Sequence, residues 1–442
     1  MFLTGRLPIL VALGVVPVVL LSLAGGPAWL AAVGWLALCA VLAGVDAVAA
    51  PSPRALEFSR DLPARTRLGE LVAAGLRVRN GGSRRIHGLL RDAWQPTAGA
   101  PLGRIRIDLP AGEQETYTVP LLPRRRGELR SEFVVVRSSG PLGLAGRQTV
   151  ITAPGALRVL PPFTARRHLP PRLARLREHD GSTSVQMRGA GTEFDSLREY
   201  VRGDDVRSID WRATARKRDP ASGGATLVVR TWRPERDRRV VIVVDSGRTS
   251  AARVADEPRI DTAFEASLLL AALASRAGDR VDLIVFDRVV RGRVQGLTGA
   301  QLLSRMVDAM APIEPQLIET DWDAIPTLVR QVTTHRALVV LLTSIDAPGA
   351  SRGLLSMLPQ LTRRHTVVVA SVSDPDVLAA GRERADTEQV YRAAAAERAL
   401  LDAARVAAAI RQSGGEVVTG APAELPPALA DAYLALKAAG RL

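Results

Sequence analysis

The sequence contains very few of the residues from which most metal and redox sites are built. Cys39 is the one cysteine among 442 residues, so no intrachain disulfide can form. It lies in an apolar run, and the remainder of the chain, which has no cysteine, agrees with a reducing compartment. The histidines are scattered without the spacing of metal ligands, and we interpret them as surface or core residues: His87, His168, His179, His335 and His365.

The sequence motifs of several enzyme classes are also absent. The chain has no G-x-x-x-x-G-K-[ST] phosphate loop, no G-x-S-x-G nucleophile elbow and no H-E-x-x-H zinc motif. Lysine is very scarce, and no lysine is placed where phosphoryl-transfer chemistry would use one. These absences argue against the common hydrolase and nucleotide-binding classes.

The chain is strongly basic, and arginine carries almost all of the positive charge. Lys and Arg number 59 against 45 Asp and Glu, which gives a formal net charge of +14. Such a surface favours anionic membrane headgroups or acidic protein partners, although arginine richness can also reflect genome composition. Zinc-finger spacing, aromatic RNA-binding signatures and basic helix–heptad patterns are missing, so no nucleic-acid partner is expected.

Two apolar runs predict a transmembrane helical hairpin. Residues 7–24 and 28–50 are separated by a short Gly-Gly-Pro link, and a spanning helix needs about 20 apolar residues. Arg6 precedes the runs and several arginines follow from Arg54 onwards. The positive-inside rule therefore predicts two spans in the cell membrane, with the soluble domains in the cytoplasm. A cleaved signal peptide, with 47–50 as a cleavage-like site, is the alternative.

Residues 54–160 lack helical periodicity and predict an all-β sandwich. Short alternating segments, such as 76–79 and 104–107, are separated by turn clusters rich in Gly, Asn, Pro and Ser. This pattern is typical of a small antiparallel sandwich, a module that usually binds or spaces. Proline pairs at 161–162 and 170–171 then indicate a connector.

From Arg239 onwards the pattern changes to strands that alternate with helices. Apolar strands are predicted at 239–244, 281–286, 337–343 and 366–372, with 289–294 paired beside the second and a short last strand at 415–419. The first helix is predicted at 261–277 with Asp261 as its N-cap, and a long one at 387–412. This alternation predicts an α/β, Rossmann-like domain with a doubly wound, mostly parallel sheet.

Residues 191–233 hold a dense mixture of acids and arginines that glycines and a proline interrupt. Its most prominent residues are Glu193, Asp195, Arg198, Tyr200, Gly203, Asp204, Asp205, Arg207, Asp210 and Trp211. Carboxylate–guanidinium pairs are directional and can fix such a loop-rich segment. We interpret it as a clasp that is anchored by its apolar residues and orients the domains on either side. A charged linker is the alternative.

The same segment carries a family resemblance. GTEFDSLREYVRGDDVRSIDW, followed by a strand ending in VVRTW, resembles the signature of the family called domain of unknown function 58. The family's arrangement implies a transmembrane hairpin at 1–53, a β-sandwich at 54–160, a linker with the signature at 161–238 and a von Willebrand A-like domain at 239–442. The resemblance further implies a membrane-anchored scaffold or adaptor that works with a MoxR-type AAA+ ATPase, and with other membrane or envelope proteins, in assembly or maturation.

Residues after the first α/β strand resemble the metal-ion-dependent adhesion motif of von Willebrand A domains, Asp-x-Ser-x-Ser. Asp245 fits its first position and Thr249 its third, while Thr320 matches the motif's threonine loop. Gly247 replaces the middle hydroxyl, and Ser344 stands where a final acid is expected, with Asp346 two residues on. The resemblance implies a degenerate Mg²⁺ site with Asp245, Thr249, Thr320 and Asp346 as ligands. In the alternative, these residues cap a helix or bond the loops.

A phosphoryl-transfer enzyme is the alternative function. Asp245 at the end of a strand resembles an aspartyl nucleophile followed by Gly and Thr, as in haloacid-dehalogenase-like enzymes. Those enzymes usually carry a second Asp two residues later, where Gly247 stands here. Catalysis is therefore not expected, and Mg²⁺ is the one cofactor that the sequence suggests.

Overall fold

The computed structural model describes residues 1–183, 193–201, 204, 206–216, 227–233, 238–346, 348–349 and 351–442. Within these ranges, only the backbone is described at 178–183, 193–196 and 231–233. The chain divides into two units, Met1–Pro162 and Phe163–Leu442, and each is described by itself.

The first unit begins with three apolar helices. They are α1 (Arg6–Leu13), α2 (Val15–Leu23) and α3 (Ala28–Ala49). The α1–α2 stretch and α3 are both long and apolar enough to cross a membrane, by length and composition. A Cβ on Gly14, between α1 and α2, would lie 2.2 Å from the Trp35 ring, so glycine lets the two arms approach closely. The Trp35 indole also donates to the Leu10 carbonyl at 3.0 Å.

Two β-sheets follow in the first unit. Their strands are β1 (Phe2–Leu3), β2 (Leu56–Asp61), β3 (Arg65–Arg67), β4 (Val72–Asn80), β5 (Ile86–Trp94), β6 (Ile105–Leu109), β7 (Gln114–Leu121), β8 (Gly127–Ser139) and β9 (Ala145–Leu160). One sheet has the order β1-β9-β8-β5-β6 with β3 beside β9, and the other has the order β2-β4-β7. Their inner faces share a buried core that includes Leu76 and Val78 from one sheet and Leu90 and Val134 from the other. The sheet-rich region predicted from alternating residues is confirmed.

An ion pair lies within this sandwich. Arg60 on β2 pairs with Asp92 on β5 at 2.7 Å, with side chains that are only 5% and 2% exposed. The Asp92 carboxylate also accepts hydrogen bonds from Ser131 and the Trp94 indole. Because each charged group has further partners, the pair links the two sheets without leaving the buried carboxylate unsatisfied.

A carboxylate in α3 joins the apolar hairpin to the sandwich. Asp46 is fully buried, and it accepts backbone N–H groups from Leu142 at 2.7 Å, Leu144 at 2.7 Å and Ala145 at 2.8 Å. Hydrogen bonds to an ionised acceptor are about twice as strong as neutral ones. The β8–β9 turn is therefore held directly against the last turns of α3.

The other flank of the hairpin reaches the same turn. β1 pairs with the start of β9, with Phe2 opposite Gly146 and Leu3 opposite Ala145. The Thr4 hydroxyl donates to the Gly143 carbonyl at 2.6 Å. Both flanks of the hairpin thus meet at one end of the sandwich, as expected for a hairpin whose two ends lie on one side of a bilayer.

The second unit is an α/β domain preceded by helical and hairpin segments. Its helices are α4 (Leu169–Thr183), α5 (Trp211–Arg216), α6 (Arg259–Arg276), α7 (Gly299–Met310), α8 (Ile325–Val332), α9 (Arg352–Thr362), α10 (Pro375–Ala380), α11 (Thr387–Gln412) and α12 (Leu425–Ala438). Its strands are β10 (Glu193–Glu199), β11 (Val228–Arg233), β12 (Arg239–Asp245), β13 (Arg253–Val254), β14 (Glu257–Pro258), β15 (Arg280–Phe286), β16 (Val290–Val294), β17 (Leu338–Leu342), β18 (Thr366–Val372) and β19 (Glu416–Gly420).

The main sheet of this unit has the order β16-β15-β12-β17-β18-β19. The neighbouring strands pair in parallel, except that β16 is antiparallel to β15. The central strands are buried on both faces, which explains their continuous apolar sequences. The predicted mostly parallel sheet, with 289–294 beside 281–286, is confirmed. The chain order reverses at β12, so the carboxyl end of β12 lies at a topological switch point.

Two local predictions differ from the structure. Asp261 was predicted as an N-cap, but α6 begins at Arg259 and Asp261 lies buried in its first turn, where an acid suits the helix dipole. The connector predicted around the proline pairs is helical at Thr164–His168 and in α4. The buried Glu265 of α6 accepts the Thr164 and Ala165 N–H groups at 2.9 and 2.8 Å, which fixes this segment to the α/β domain.

Candidate functional site

Asp245 lies at the switch point, at the carboxyl end of β12. The residue is 3% exposed. One oxygen, Oδ1, accepts from the Gly247 N–H at 2.8 Å and the Thr320 hydroxyl at 2.5 Å. The other, Oδ2, accepts from the hydroxyls of Thr249 at 3.2 Å and Thr343 at 2.7 Å. An ionised carboxylate has about four acceptor positions, so these four donors satisfy it.

The surrounding hydroxyls are left with acceptor capacity. Thr249, Thr320 and Thr343 each give their single O–H proton to Asp245, and every hydroxyl oxygen keeps lone pairs that can face a ligand. The cluster therefore presents oxygen acceptors around one buried negative charge. Hard cations prefer oxygen ligands of this kind.

Gly247 has a steric reason to be glycine. A Cβ at this position would lie 2.3 Å from the Thr320 hydroxyl and 3.0 Å from Asp245 Oδ1. A contact under about 3 Å requires the neighbour to move, and the neighbour here is itself bonded to the carboxylate. The missing hydroxyl of the adhesion motif thus corresponds to space that Thr320 occupies.

A small pocket opens beside the carboxylate. Its volume is about 10 Å³, room for about one water molecule, and its lining includes Asp245, Thr320, Thr343 and Ser344. Ser351, which immediately precedes α9, also lines it, and its hydroxyl is buried without a hydrogen-bond partner among the described residues. An unpaired buried hydroxyl is costly, and the pocket leaves room beside Ser351 for a polar partner of about the size of a water molecule.

Asp346 does not line this pocket. Its carboxylate forms an ion pair with Arg259, whose guanidinium also donates to the Ser344 hydroxyl at 2.8 Å. The structure therefore brings Asp245, Thr249 and Thr320 together and places Asp346 with Arg259 instead. Among the described residues, no group of three or more His, Cys, Asp or Glu side chains is arranged to hold a metal ion.

A second buried acid supports the floor of the site. Asp287 follows β15, and it accepts from the Ser246 hydroxyl at 3.1 Å, the Arg291 guanidinium at 2.7 Å and the Val289 N–H at 3.1 Å. Burial alone would raise the pKa of Asp287, but these hydrogen bonds outweigh it and hold the pKa below its ordinary value. The charged form is therefore built into the folded state.

The described part of the signature segment forms a separate hairpin. β10 and β11 are antiparallel, and Arg198 pairs with Asp204 through two bonds of 2.6 and 2.8 Å. Asp210 accepts the Arg212 and Ala213 N–H groups at 2.9 and 3.0 Å, as an N-cap of α5. The predicted pairing of acids with arginines is confirmed for these residues.

Other signature predictions fare differently. Asp210 also pairs with Arg230 at 2.7 Å, and the Ala213 N–H and Arg230 together lower its pKa. Trp211 is 67% exposed and Leu197 is 47% exposed, so neither is the buried anchor that a clasp predicts. Gly203 and Asp205 lie outside the described residues, as do the side chains of Glu193 and Asp195. Tyr200 and Arg207 lie in the described part, at the end of the hairpin and in a following turn.

Comparison with known proteins bears on this region. Residues 196–381 match the family model described as Protein of unknown function DUF58. The chain carries a DUF58 region. The DUF58 match begins within β10 and extends past α10, so it contains every residue that lines the Asp245 pocket. The resemblance inferred from the signature is confirmed, and the family's function is unknown.

Curated proteins similar to part of this chain carry the description uncharacterized. One protein of Mycobacterium bovis and one of Mycobacterium tuberculosis strain H37Rv are each 27% identical over 189 residues. The match covers 42% of this chain and 56% of each relative. This chain thus matches little more than half the length of those proteins.

Solved structures show weak likeness. The complex of zinc 2-glycoprotein and prolactin inducible protein from human seminal plasma has a TM-score of 0.20 at 16% identity, covering 24% of this chain and 92% of that chain. An inactive mutant of a GH20 exo-β-N-acetylglucosaminidase from Vibrio harveyi has a TM-score of 0.22 at 11% identity, covering 83% and 75%. Scores this low support no inference about fold or function.

Proposed function

We propose that the chain is a membrane-anchored adaptor that binds a protein partner at the Asp245 pocket. The observation that carries the proposal is the unpaired Ser351 hydroxyl, buried in a wall of hydroxyl oxygens around an already satisfied carboxylate. Such a site is built to receive a polar group and to hold it. We further propose, from the family resemblance, that the partner is a MoxR-type AAA+ ATPase acting in assembly or maturation at the membrane.

The apolar hairpin supports the membrane anchor. Removal of the hairpin by cleavage near residue 50 would take away β1, which is an edge strand of the sandwich, and Asp46, which holds the β8–β9 turn. A retained anchor with two spans therefore agrees better with the fold than a cleaved signal peptide. We propose the cell membrane as its location, with both units in the cytoplasm, as the arginines flanking the hairpin suggest.

The geometry favours binding over phosphoryl transfer. An aspartyl nucleophile must present an oxygen lone pair to the phosphorus, but all acceptor positions of Asp245 are engaged by four donors. In the described residues, Lys437 is bonded to Asp279 at 2.8 Å and does not line the Asp245 pocket. Phosphoryl transfer would require at least one of these donors to leave Asp245, whereas partner binding at the pocket does not.

A magnesium ion fits the proposal as a weakly held component. The free lone pairs of the Thr249 and Thr320 hydroxyls would hold it, Asp245 would supply negative charge through those hydroxyls, and the ion would offer open coordination positions to a carboxylate of the partner. The positive charge of Arg259, bonded to Ser344 at the pocket wall, opposes tight cation binding. Asp346 would not take part, because Arg259 engages its carboxylate.

The test is capture of the ATPase by the solubilised full chain, with and without nucleotide. We expect wild-type protein to retain a MoxR-type ATPase, and Asp245→Ala and Thr320→Ala to retain at least about tenfold less, the loss expected for one or two charged hydrogen bonds. Asp256→Ala, an exposed acid in the same unit, is the matched control and should bind normally.

Two outcomes would contradict the adaptor. Recovery of no such ATPase under either condition would remove the proposed partner. Magnesium-dependent phosphate release by the purified chain, abolished by Asp245→Asn, would instead establish the phosphoryl-transfer alternative. Calorimetric titration of the chain with MgCl₂ alone measures Mg²⁺ binding independently of partner binding. The two are measured separately because the adaptor can bind its partner with or without the ion.

A further inference from the structure

A cluster of arginines surrounds the place where the apolar hairpin joins the sandwich. The Arg147 guanidinium donates to the Ala47 and Val48 carbonyls at 3.1 and 2.9 Å, and Arg84 donates to the Ala49 carbonyl at 2.7 Å. The last carbonyls of a helix lack intrahelical partners and carry partial negative charge. The two guanidiniums are therefore fixed at the end of α3 by the helix itself.

A third arginine lies at the other flank of the hairpin. Arg6 begins α1 and is exposed, and a Cβ on Gly143 would lie 2.8 Å from its Nη1 atom. Leu7, the next residue, packs against Ala47 and Ala145. Arg6 is thus held next to the same turn that Asp46 binds. We call Arg6, Arg84 and Arg147 the collar.

The segments that carry the collar are poor in acids. Segments 1–56, 80–91 and 133–160 contain one acidic residue, Asp46, whereas Asp108 pairs with Arg85 and Glu57 lies near Gly81. The Asp46 carboxylate is fully buried and engaged by three backbone N–H groups, so it does not neutralise the surface. The local field at the collar is therefore positive.

The position of the collar matches a bilayer surface. Asp46 lies three residues before the end of α3, or about 5 Å along the helix axis, so the turn that it holds is level with the end of the apolar helix. Leu142 in that turn and Leu3 in β1 are exposed, at 48% and 66%. Exposed leucines beside fixed arginines are typical of a surface that meets lipid headgroups.

Guanidinium geometry suits a phosphate ligand. Each guanidinium has five N–H donors, and the helix carbonyls accept two from Arg147 and one from Arg84. The remaining N–H groups lie in the plane that matches phosphate oxygens bidentately. Being already held at the end of α3, these side chains lose little further freedom on binding.

We propose that the collar binds the headgroup phosphates of anionic phospholipids and seats the sandwich against the bilayer. The proposal rests on the membrane anchor of the proposed function, but it assigns a lipid-binding surface to a different part of the chain from the Asp245 pocket. An anionic lipid in the leaflet next to the sandwich is the occupant, because the hairpin delivers the collar to that leaflet.

The test measures thermal unfolding of the full chain in neutral detergent micelles that contain increasing phosphatidylglycerol or phosphatidylcholine. Wild-type protein should be stabilised by phosphatidylglycerol and not by phosphatidylcholine. Arg6→Gln/Arg84→Gln/Arg147→Gln should need on the order of 100-fold more phosphatidylglycerol, at about fivefold for each arginine. Arg6→Gln alone, which leaves both helix-capping guanidiniums in place, should show the about fivefold loss even if the triple variant folds poorly.

The control variant removes the same charge from the far end of the sandwich. Arg124→Gln/Arg130→Gln/Arg158→Gln changes exposed arginines, and Arg158 lies about 40 Å of extended strand from Ala145 along β9. An equal loss of the phosphatidylglycerol response in this control would overturn the collar. So would full stabilisation by inorganic phosphate alone, which would assign the surface to a soluble anion.

Flotation with zwitterionic vesicles separates this inference from the anchor. Wild-type and all variants should float, because the hairpin holds them. Failure of the wild-type protein to float would contradict the anchor itself. Flotation of the wild-type protein, together with no stabilisation by phosphatidylglycerol in the unfolding experiment, would leave the anchor intact and overturn the collar.

Discussion

The Thr320 hydroxyl occupies the space that a side chain on Gly247 would need. Their separation, 2.3 Å from an ideal Cβ, is far below van der Waals contact. The same hydroxyl bonds Asp245 at 2.5 Å, so glycine at 247 and the Asp245–Thr320 contact depend on each other. By comparison with the Asp-x-Ser-x-Ser motif, Gly247 is a position where a ligand hydroxyl is missing. In the structure, glycine at 247 leaves the space that the Thr320 hydroxyl occupies.

Gly247→Ser, which restores a hydroxyl to the motif, should therefore destabilise the protein. We expect a loss of about 1–3 kcal/mol in the free energy of unfolding, because Thr320 must leave Asp245. Urea unfolding measures it, with Gly349→Ser as a control, since a Cβ at 349 meets nothing within 4 Å. A Gly247→Ser protein that is as stable as wild type would show that Thr320 moves freely.

Thr343→Val should cost more stability than Thr249→Val. Both remove a hydroxyl that donates to Asp245 Oδ2, but the Thr343 bond is shorter and Thr343 is 8% exposed, whereas Thr249 is half-buried. Loss of one donor to a buried carboxylate costs about 1.5–3 kcal/mol at 343 and less at 249. Denaturant unfolding of the two isosteric variants gives the comparison directly. The reverse order would mean that the half-buried Thr249 hydroxyl stabilises the Asp245 carboxylate more than the buried Thr343 hydroxyl does.

Asp287→Asn should show a destabilisation that depends on pH. The folded-state pKa of Asp287 is held below its ordinary value, so its stabilising contribution is present above about pH 4 and is lost as the pH falls through the folded pKa. The difference in unfolding free energy between wild type and variant should be largest at neutral pH and should disappear at low pH. Urea unfolding at several pH values checks this, with Asp256→Asn as an exposed control. A gap that stays constant with pH would contradict the charge-based account.

Asp46→Asn should loosen the sandwich from α3. The amide has one oxygen to offer where the carboxylate serves three backbone donors, and unsatisfied buried N–H groups cost about 1–3 kcal/mol. We expect a lower unfolding midpoint in detergent and faster protease cleavage of the 140–144 turn. Asp61→Asn, an exposed acid on β2, should change neither. Unaltered cleavage in Asp46→Asn would show that β1 alone holds the turn.

In the signature hairpin, Asp210→Ala should matter more than Trp211→Ala. Asp210 caps α5 and pairs with Arg230, whereas Trp211 is 67% exposed. Hydrogen exchange of the β11 amides should rise for Asp210→Ala and stay near wild type for Trp211→Ala. The opposite result would indicate that Trp211 is covered by a partner. In that case the 191–233 segment would bind a partner protein through Trp211 instead of orienting the two flanking domains of its own chain.

The site residues that directly follow a predictable strand could be located from the sequence. Asp245 and Thr249 follow directly from a buried strand, and the carboxyl end of a strand is where ligands gather in such sheets. Thr343 and Ser351 escaped notice, because their place depends on β17 lying beside β12 and on where α9 begins. Those are tertiary facts that no spacing reveals.

Asp346 was predicted as a ligand from its position in the sequence, but tertiary contacts place it outside the pocket. Its distance along the chain from β17 suggested a ligand, but Arg259, far earlier in the sequence, forms an ion pair with it. The strands 239–244 and 281–286 and the helix 387–412 were predictable from periodicity alone. Helix α10 was not predicted, although its Asp374 N-cap followed by Pro375 is a helix-start signal in the sequence.

For the proposed membrane anchor, the pairing of β1 with β9 makes insertion a condition of folding. Residues 2–3 leave the ribosome before the hairpin and their partners at 145–146 leave it long afterwards, yet they form one edge of a sheet. With the proposed anchor, residues 2–3 must therefore remain on the sandwich's side of the bilayer throughout synthesis. A chain inserted with that segment translocated would lack an edge strand and expose the unpaired backbone of β9, so mis-insertion and misfolding become a single failure.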